Sequence, residues 1–163
     1  MAELLPRMAD LAVQAKSLNV GLTIDAEEVN RLDLSLELFG RLVQHEGLAS
    51  WNGLGIAVQA YSKRTGPVLD WLAAVAAATG RVIPVRLVKG AYWDTEIKRA
   101  QEQGLPSYPL FTRKVSTDVS YLACAKHLLA ASDCIYPAFA THNANTIGAV
   151  KALAGDTDRK SVV

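Results

Sequence analysis

Leu4, Met8, Leu11, Ala15 and Leu18 recur three or four residues apart, which places them on one stripe of a helix. The first segment therefore reads as an amphipathic helix ending near Asn19-Val20-Gly21. Leu22-Thr23-Ile24 follows as a short strand that delivers Asp25 at its end. Asp25, Glu27 and Glu28 suit the start of a second helix, where carboxylates meet the positive end of the dipole; for Glu27 and Glu28 this structural role is the expected one. Leu34, Leu38, Leu42 and Val43 carry that helix to about Glu46, and Gly47 closes it.

After Trp51-Asn52-Gly53, the run Leu54 to Ala60 is nearly all apolar and small, as in a strand covered on both faces, with Gln59 the polar residue at its end. A helix from about Pro67 to Thr79 is signalled by Val68, Leu72 and Val75, with Pro67 in its first turn and Gly80 as its stop. Val85-Arg86-Leu87-Val88 is the next strand, with Pro84 tolerable near its first residue, and it runs into Lys89-Gly90-Ala91-Tyr92-Trp93. Asp94 is placed to cap a short helix ending at Gly104-Leu105-Pro106, and Phe111, Val115, Val119, Leu122 and Leu129 mark a longer one. Ile135 to Ala140 forms a fourth strand ending in Thr141-His142-Asn143, after which Asn145 or Thr146 opens a last helix that stops at Gly155.

A leading helix followed by four strand-helix units, without a hairpin signal, calls for a parallel α/β sheet with right-handed crossovers. A doubly wound phosphate-binding sheet wants Gly-x-Gly-x-x-Gly after its first strand, and Ile24-Asp25-Ala26-Glu27 is nothing like it. A (β/α)8 barrel needs no such turn and gathers its chemistry at the C-terminal ends of the strands, where Asp25, Gln59, Arg86, Lys89, Thr141 and His142 all fall. Because such a barrel takes about 250 residues, the expected fold is a partial TIM-type barrel of about four strand-helix units, one domain over residues 1–163.

With 163 residues, half of them hydrophobic, and a net charge of +1, the chain suits a single globular core. Positive charges are scattered among acids and not interleaved with aromatics, so no nucleic-acid partner is expected. No apolar run approaches the roughly 20 residues of a membrane helix, and a secretion signal is missing, which makes a cytoplasmic location the expectation. Cys124 and Cys134 lack metal-ligand spacing and read as reduced thiols, and His45 and His127 fall on predicted helices without metal partners.

The chemistry centres on Arg86. A guanidinium among Val and Leu neighbours costs several kcal/mol unless an anion or electron-rich partner meets it. Gly90 lets a ligand approach the backbone, and Tyr92 and Trp93 offer flat surfaces for a ring. Acid, amide, arginine, lysine and a Thr-His pair over a barrel mouth suit a small anionic metabolite, a phosphate or a flavin. Each residue also has a structural reading: Asp25 with Arg86 as an ion pair, Gln59 as a partner for loop backbone, His142 as a hydrogen-bonded loop residue. Lys89 invites a different activity, a Schiff-base lyase of class I aldolase type. Strand parity opposes this, since Arg86, Val88 and Gly90 share one face while Leu87 and Lys89 take the other.

Thr23 to Glu28, Gln59-Ala60-Tyr61, Val85 to Asp94, Phe111-Thr112-Arg113-Lys114 and Ala140-Thr141-His142-Asn143 together resemble the proline dehydrogenase domain of the bifunctional bacterial proline utilisation flavoenzymes, over about residues 2 to 155. The resemblance implies an FAD-dependent barrel that oxidises L-proline to 1-pyrroline-5-carboxylate by hydride transfer to the flavin. On it, Asp25 matches the active-site aspartate and Arg86 the arginine beside the reacting flavin nitrogen. Gln59 matches a hydrogen bond to the flavin ring, Lys89, Gly90 and Ala91 the segment along the cofactor, and Thr141 and His142 a further FAD contact. Trp93, Thr112, Lys114 and Asn143 fall where the family lines the ribityl, pyrophosphate or adenine portions. A quinone is the electron acceptor that the resemblance suggests, with peripheral contact to the inner membrane allowed for a longer parent protein. Against the family pattern, Met1 corresponds to an internal position and residues 158–163 depart from it. The first barrel strand, the later strands with the arginines for the substrate carboxylate, and the aldehyde dehydrogenase half therefore have no counterpart, so this stretch alone is expected to be inactive or an inert fragment.

Overall fold

The computed structural model describes residues 1–155. Helix α1 (Leu4–Ser17) ends where Leu18 and Asn19 return their N–H groups to it, Asn19 in the left-handed region at φ 54°. Its buried residues are Ala9 and Ala12, small enough for close packing against α2 (Leu32–Val43), which contributes Leu38, Phe39, Leu42 and Val43. Lys16 ties α1 to the following loop by donating to the carbonyls of Gly47 and Ala49, each at 3.0 Å.

Four strands, β1 (Leu22–Ile24), β2 (Leu54–Gln59), β3 (Ile83–Val88) and β4 (Ile135–Phe139), pair in parallel in the order β1-β2-β3-β4. The order never reverses, as expected for a barrel wall and not for a doubly wound sheet. Helices α3 (Thr65–Thr79), α4 (Trp93–Glu102), α5 (Lys114–Ala130) and α6 (Ala144–Ala154) complete the elements. The register aligns Ile56 with Val85 and Val58 with Leu87 and Phe139 on the face that joins the helices in the core. On the opposite, inner face, Ala57, Arg86 and Ala138 form one row, flanked along their strands by Gly55, Gln59, Val88 and Tyr136. Tyr136 is 47% exposed there, so the inner face lies open among the described residues.

Several boundaries differ from expectation. The acidic cluster precedes its helix: Asp25 to Glu28 is a loop, a 3-10 turn spans Val29–Arg31, and Asp33 is the acid in the first turn of α2. That helix stops at Val43, and Gly47 sits inside a separate 3-10 turn, Glu46–Leu48, capped by His45, whose Nδ1 accepts the Gly47 N–H at 3.1 Å. Asp94 lies in the first turn of α4, whose N-cap position is Tyr92. The last helix is capped by Asn143, which accepts the Thr146 N–H at 3.1 Å, two residues before the expected start. On α5 the predicted stripe holds only in part: Leu122 and Leu129 pack against the core, but Phe111 precedes the helix, and Val115 and Val119 are 66% and 69% exposed. Its buried face is Thr117, Tyr121, Cys124, Ala125 and Leu128. Both cysteines are free.

Candidate active site at the carboxyl ends of the strands

Because side chains alternate along a strand, the inner-face series Thr23, Gly55, Ala57 and Arg86 takes in Gln59 at the end of β2 and continues past the end of β1 into Asp25. Arg86 donates from Nη2 to Asp25 Oδ1 at 2.7 Å, with the two side chains 41% and 72% exposed. The expected cost of a deeply buried arginine therefore does not arise; the guanidinium faces an open concavity. Asp25 Oδ1 also accepts the Ala26 N–H at 3.0 Å.

Gln59 uses both ends of its amide to join two loops. Nε2 donates to the Glu27 carbonyl at 2.8 Å, and Oε1 accepts the Ala91 N–H at 3.1 Å. One amide hydrogen and one lone pair remain for a ligand. Gly90 has φ 140°, and a Cβ there would stand 2.5 Å from Cγ of Tyr61, so packing against that ring already demands glycine without a ligand. Tyr61 is buried, its phenol pushed up to about 12, mainly by burial and then by the Glu96 charge.

Lys89 lies on the other face, as parity requires. Its ammonium pairs with Asp118 of α5 and stands 5.9 Å from the centre of the Tyr121 ring, while Lys114 reaches the second Asp118 oxygen at 2.7 Å. Hydrogen bonds from Lys114 and then Lys89 hold the Asp118 carboxyl below its ordinary 3.8. A depressed carboxyl stabilises the folded state above its unfolded value, and the contribution disappears as pH falls through the folded value. Asp118→Asn is therefore expected to lower stability at neutral pH and to match the parent progressively below pH 3.8. Urea unfolding across that range checks it; an undiminished gap in acid would mean that the carboxylate charge is not what stabilises.

One concavity of about 690 Å³ collects Asp25, Gln59, Arg86, Lys89, Gly90, Ala91, Lys114, Thr141, His142 and Asn143. Trp93 and Thr112 are outside its lining: the Trp93 indole donates to the Phe111 carbonyl at 3.0 Å, which sets it beside Thr112 as a separate group. At the other rim Thr141 Oγ1 accepts the Asn143 N–H at 3.1 Å, so Thr141 and Asn143 both serve the start of α6. Tyr92, also in the lining, was legible only as a flat surface. Its phenol is raised by the Glu27 charge first, then by burial and by Glu28 and Asp25. Asp118 and Glu96 had no sequence signal beyond their helical positions. Among the described residues there is no cluster of three or more potential metal ligands, and no helix is long and apolar enough to cross a membrane.

A family model described as Proline dehydrogenase matches residues 2–162. The chain belongs to the proline dehydrogenase family. The match runs past residue 155, so the expected departure from the family at residues 158–163 does not hold at the sequence level; those residues lie outside the described part of the structure. The bifunctional protein PutA of Salmonella typhimurium is 56% identical over 155 residues, 95% of this chain and 12% of that protein. Its Escherichia coli K12 counterpart is 55% identical with the same coverage. Among solved structures, a mutant of Bradyrhizobium japonicum proline utilization A aligns with TM-score 0.95 at 51% identity, over 97% of this chain and 16% of that one. Proline utilization A from Bdellovibrio bacteriovorus, inactivated by N-propargylglycine, aligns with TM-score 0.90 at 34% identity, over 94% and 16% respectively. The chain thus spans about 12% of the length of these curated relatives. Its parallel sheet and helices are four strand-helix units of the family's TIM-type barrel.

Proposed function

We propose that this chain supplies the cofactor-facing wall of a site that oxidises L-proline to 1-pyrroline-5-carboxylate with FAD. The observation that carries the reading is the Arg86–Asp25 pair at the carboxyl ends of the strands, in the row Ala57, Arg86, Ala138, within a proline dehydrogenase chain. The residues fit a flavin nucleotide. Small residues, Ala26, Gly90, Ala91 and Ala140, line the concavity around Arg86, and its volume of about 690 Å³ lies within the usual range for cofactor pockets, roughly 300–1,000 Å³. Lys114, with an exposed side chain, brings a cation to one rim, suited to a pyrophosphate, and Gln59 keeps donor and acceptor capacity for a heterocycle.

Bound FAD would supply the two-electron acceptor for a hydride from the proline ring methylene next to nitrogen, with the amine proton passing to solvent as the carbon–nitrogen double bond forms. With the cofactor bound, Arg86 would offer a fixed cation to the negative charge that builds on the hydride acceptor, and Asp25 orients that guanidinium. Gln59 keeps the loops after β1 and β3 at a set separation, so Asp25 and the Gly90 backbone hold their places. The Schiff-base reading loses ground, because the Lys89 ammonium is paired with the Asp118 carboxylate on the face of the strand away from Arg86.

The test is a purified polypeptide that joins this chain to the rest of the family domain. It is expected to carry a flavin spectrum that L-proline bleaches without oxygen, and borohydride with carbonyl compounds is expected to leave Lys89 unmodified. A flavin-free protein trapped covalently at Lys89 would overturn the assignment in favour of the lyase.

A further inference from the structure

Helix α4 is polar, and its buried residues are Ala100 and, unexpectedly, Glu96. Glu96 is 3% exposed, and stripping a carboxylate of water costs several kcal/mol unless close donors replace it. On its own helix the available cation is Arg99, at 3.8 Å, too long for a hydrogen bond. The close donor comes from elsewhere: the Val29 backbone N–H, 67 positions earlier, lies 2.9 Å from Oε1. Glu96 is itself fixed, because its N–H donates to the Tyr92 carbonyl at 2.9 Å and opens the ladder of α4. Val29 closes the loop that begins with Asp25, and Gln59 grips the same loop at the Glu27 carbonyl. The loop is thus pinned on both sides of Glu28, and its first residue holds Arg86.

We propose that Glu96 is a positioning residue of the site: by accepting the Val29 N–H, its carboxylate fixes the Asp25–Glu28 loop and so keeps the Asp25 carboxylate beside Arg86. The effect on turnover rests on the proline-oxidising reading given above; the clamp itself does not.

Val29→Pro removes the donor and leaves Glu96 in place. Proline is suited there, since Val29 is the first residue of a helical turn and Glu28 before it is extended at φ −60°, ψ 156°. Glu96→Ala removes the acceptor, and Glu96→Gln keeps an acceptor oxygen without the charge. In the complete domain, Glu96→Ala and Val29→Pro are each expected to speed amide exchange at residues 26–28 and to lower kcat for proline by about 10- to 100-fold, the scale of small misplacements in a reacting site. Glu96→Gln is expected to restore most of both, and the double variant to be no worse than the poorer single, because both singles break one contact. Unchanged exchange in both singles overturns the clamp. Faster exchange with unchanged turnover, multiplicative losses in the double, or failure of glutamine to rescue overturns the positioning role. Should the parent not oxidise proline at all, the functional reading fails while the exchange pattern still decides the clamp.

Discussion

Arg86→Met in the complete domain is expected to lower proline turnover by about 10²-fold or more, the usual cost of deleting a charge aimed at a developing anion, with little change in folding stability. Stability should barely respond because the Arg86–Asp25 pair is exposed at 41% and 72%, and such pairs contribute about 0–1 kcal/mol. Methionine keeps the aliphatic stem against Ala57 and Ala138, so no void opens beneath it. Turnover should respond strongly because Arg86 is the cation standing in the strand row of the inner face, where the register leaves it flanked by methyl groups and without a second charged residue in that row. Steady-state kinetics alongside urea unfolding separates the two effects. Equal turnover in variant and parent removes Arg86 from the chemistry, and a large drop in stability with proportional loss of activity makes it a structural ion pair.

Much of this site could be read from the sequence because strand ends are legible. Asp25, Gln59 and Thr141 each close an apolar run, Arg86 stands out as the charge within one, and period-two alternation separated Arg86 from Lys89. Helix faces were harder. On α5, Val115 and Val119 are purely aliphatic whereas Thr117 and Tyr121 carry hydroxyls and Cys124 a thiol, yet the latter three are buried. The Tyr121 hydroxyl lies 3.3 Å from the Ala140 carbonyl, beyond β4, and Ser120 donates to the Ala60 carbonyl at 2.7 Å. Polar-tipped residues thus face the sheet because strand-end carbonyls need donors there. The same logic hid Glu96, whose partner is a backbone group far away in sequence. Side-chain to backbone contacts leave no periodic trace, and such contacts also supplied the Asn143 cap and the Gln59 bridge.

Gly90→Ala is expected to destabilise the domain by about 2–6 kcal/mol, combining backbone strain of about 1–3 kcal/mol with overpacking of similar size. The sequence offered a ligand's approach as the reason for this glycine; the structure offers Tyr61. Backbone at φ 140° is a conformation that L side chains rarely adopt, and the new methyl would stand 2.5 Å from Cγ and 2.6 Å from Cε2 of that ring. The ring has little room to yield. Tyr61 is 2% exposed, its N–H donates to the Lys89 carbonyl at 2.8 Å, and its carbonyl accepts the Phe111 N–H at 2.8 Å, so its backbone is fixed on both sides. A double-mutant cycle with Tyr61→Leu separates the causes. Steric conflict predicts that the double variant is more stable than the sum of the singles by about 1–3 kcal/mol, with the φ strain left over. A Gly90→Ala variant that folds as stably as the parent, shows no coupling to Tyr61 and has lost only cofactor affinity would return the glycine to the ligand.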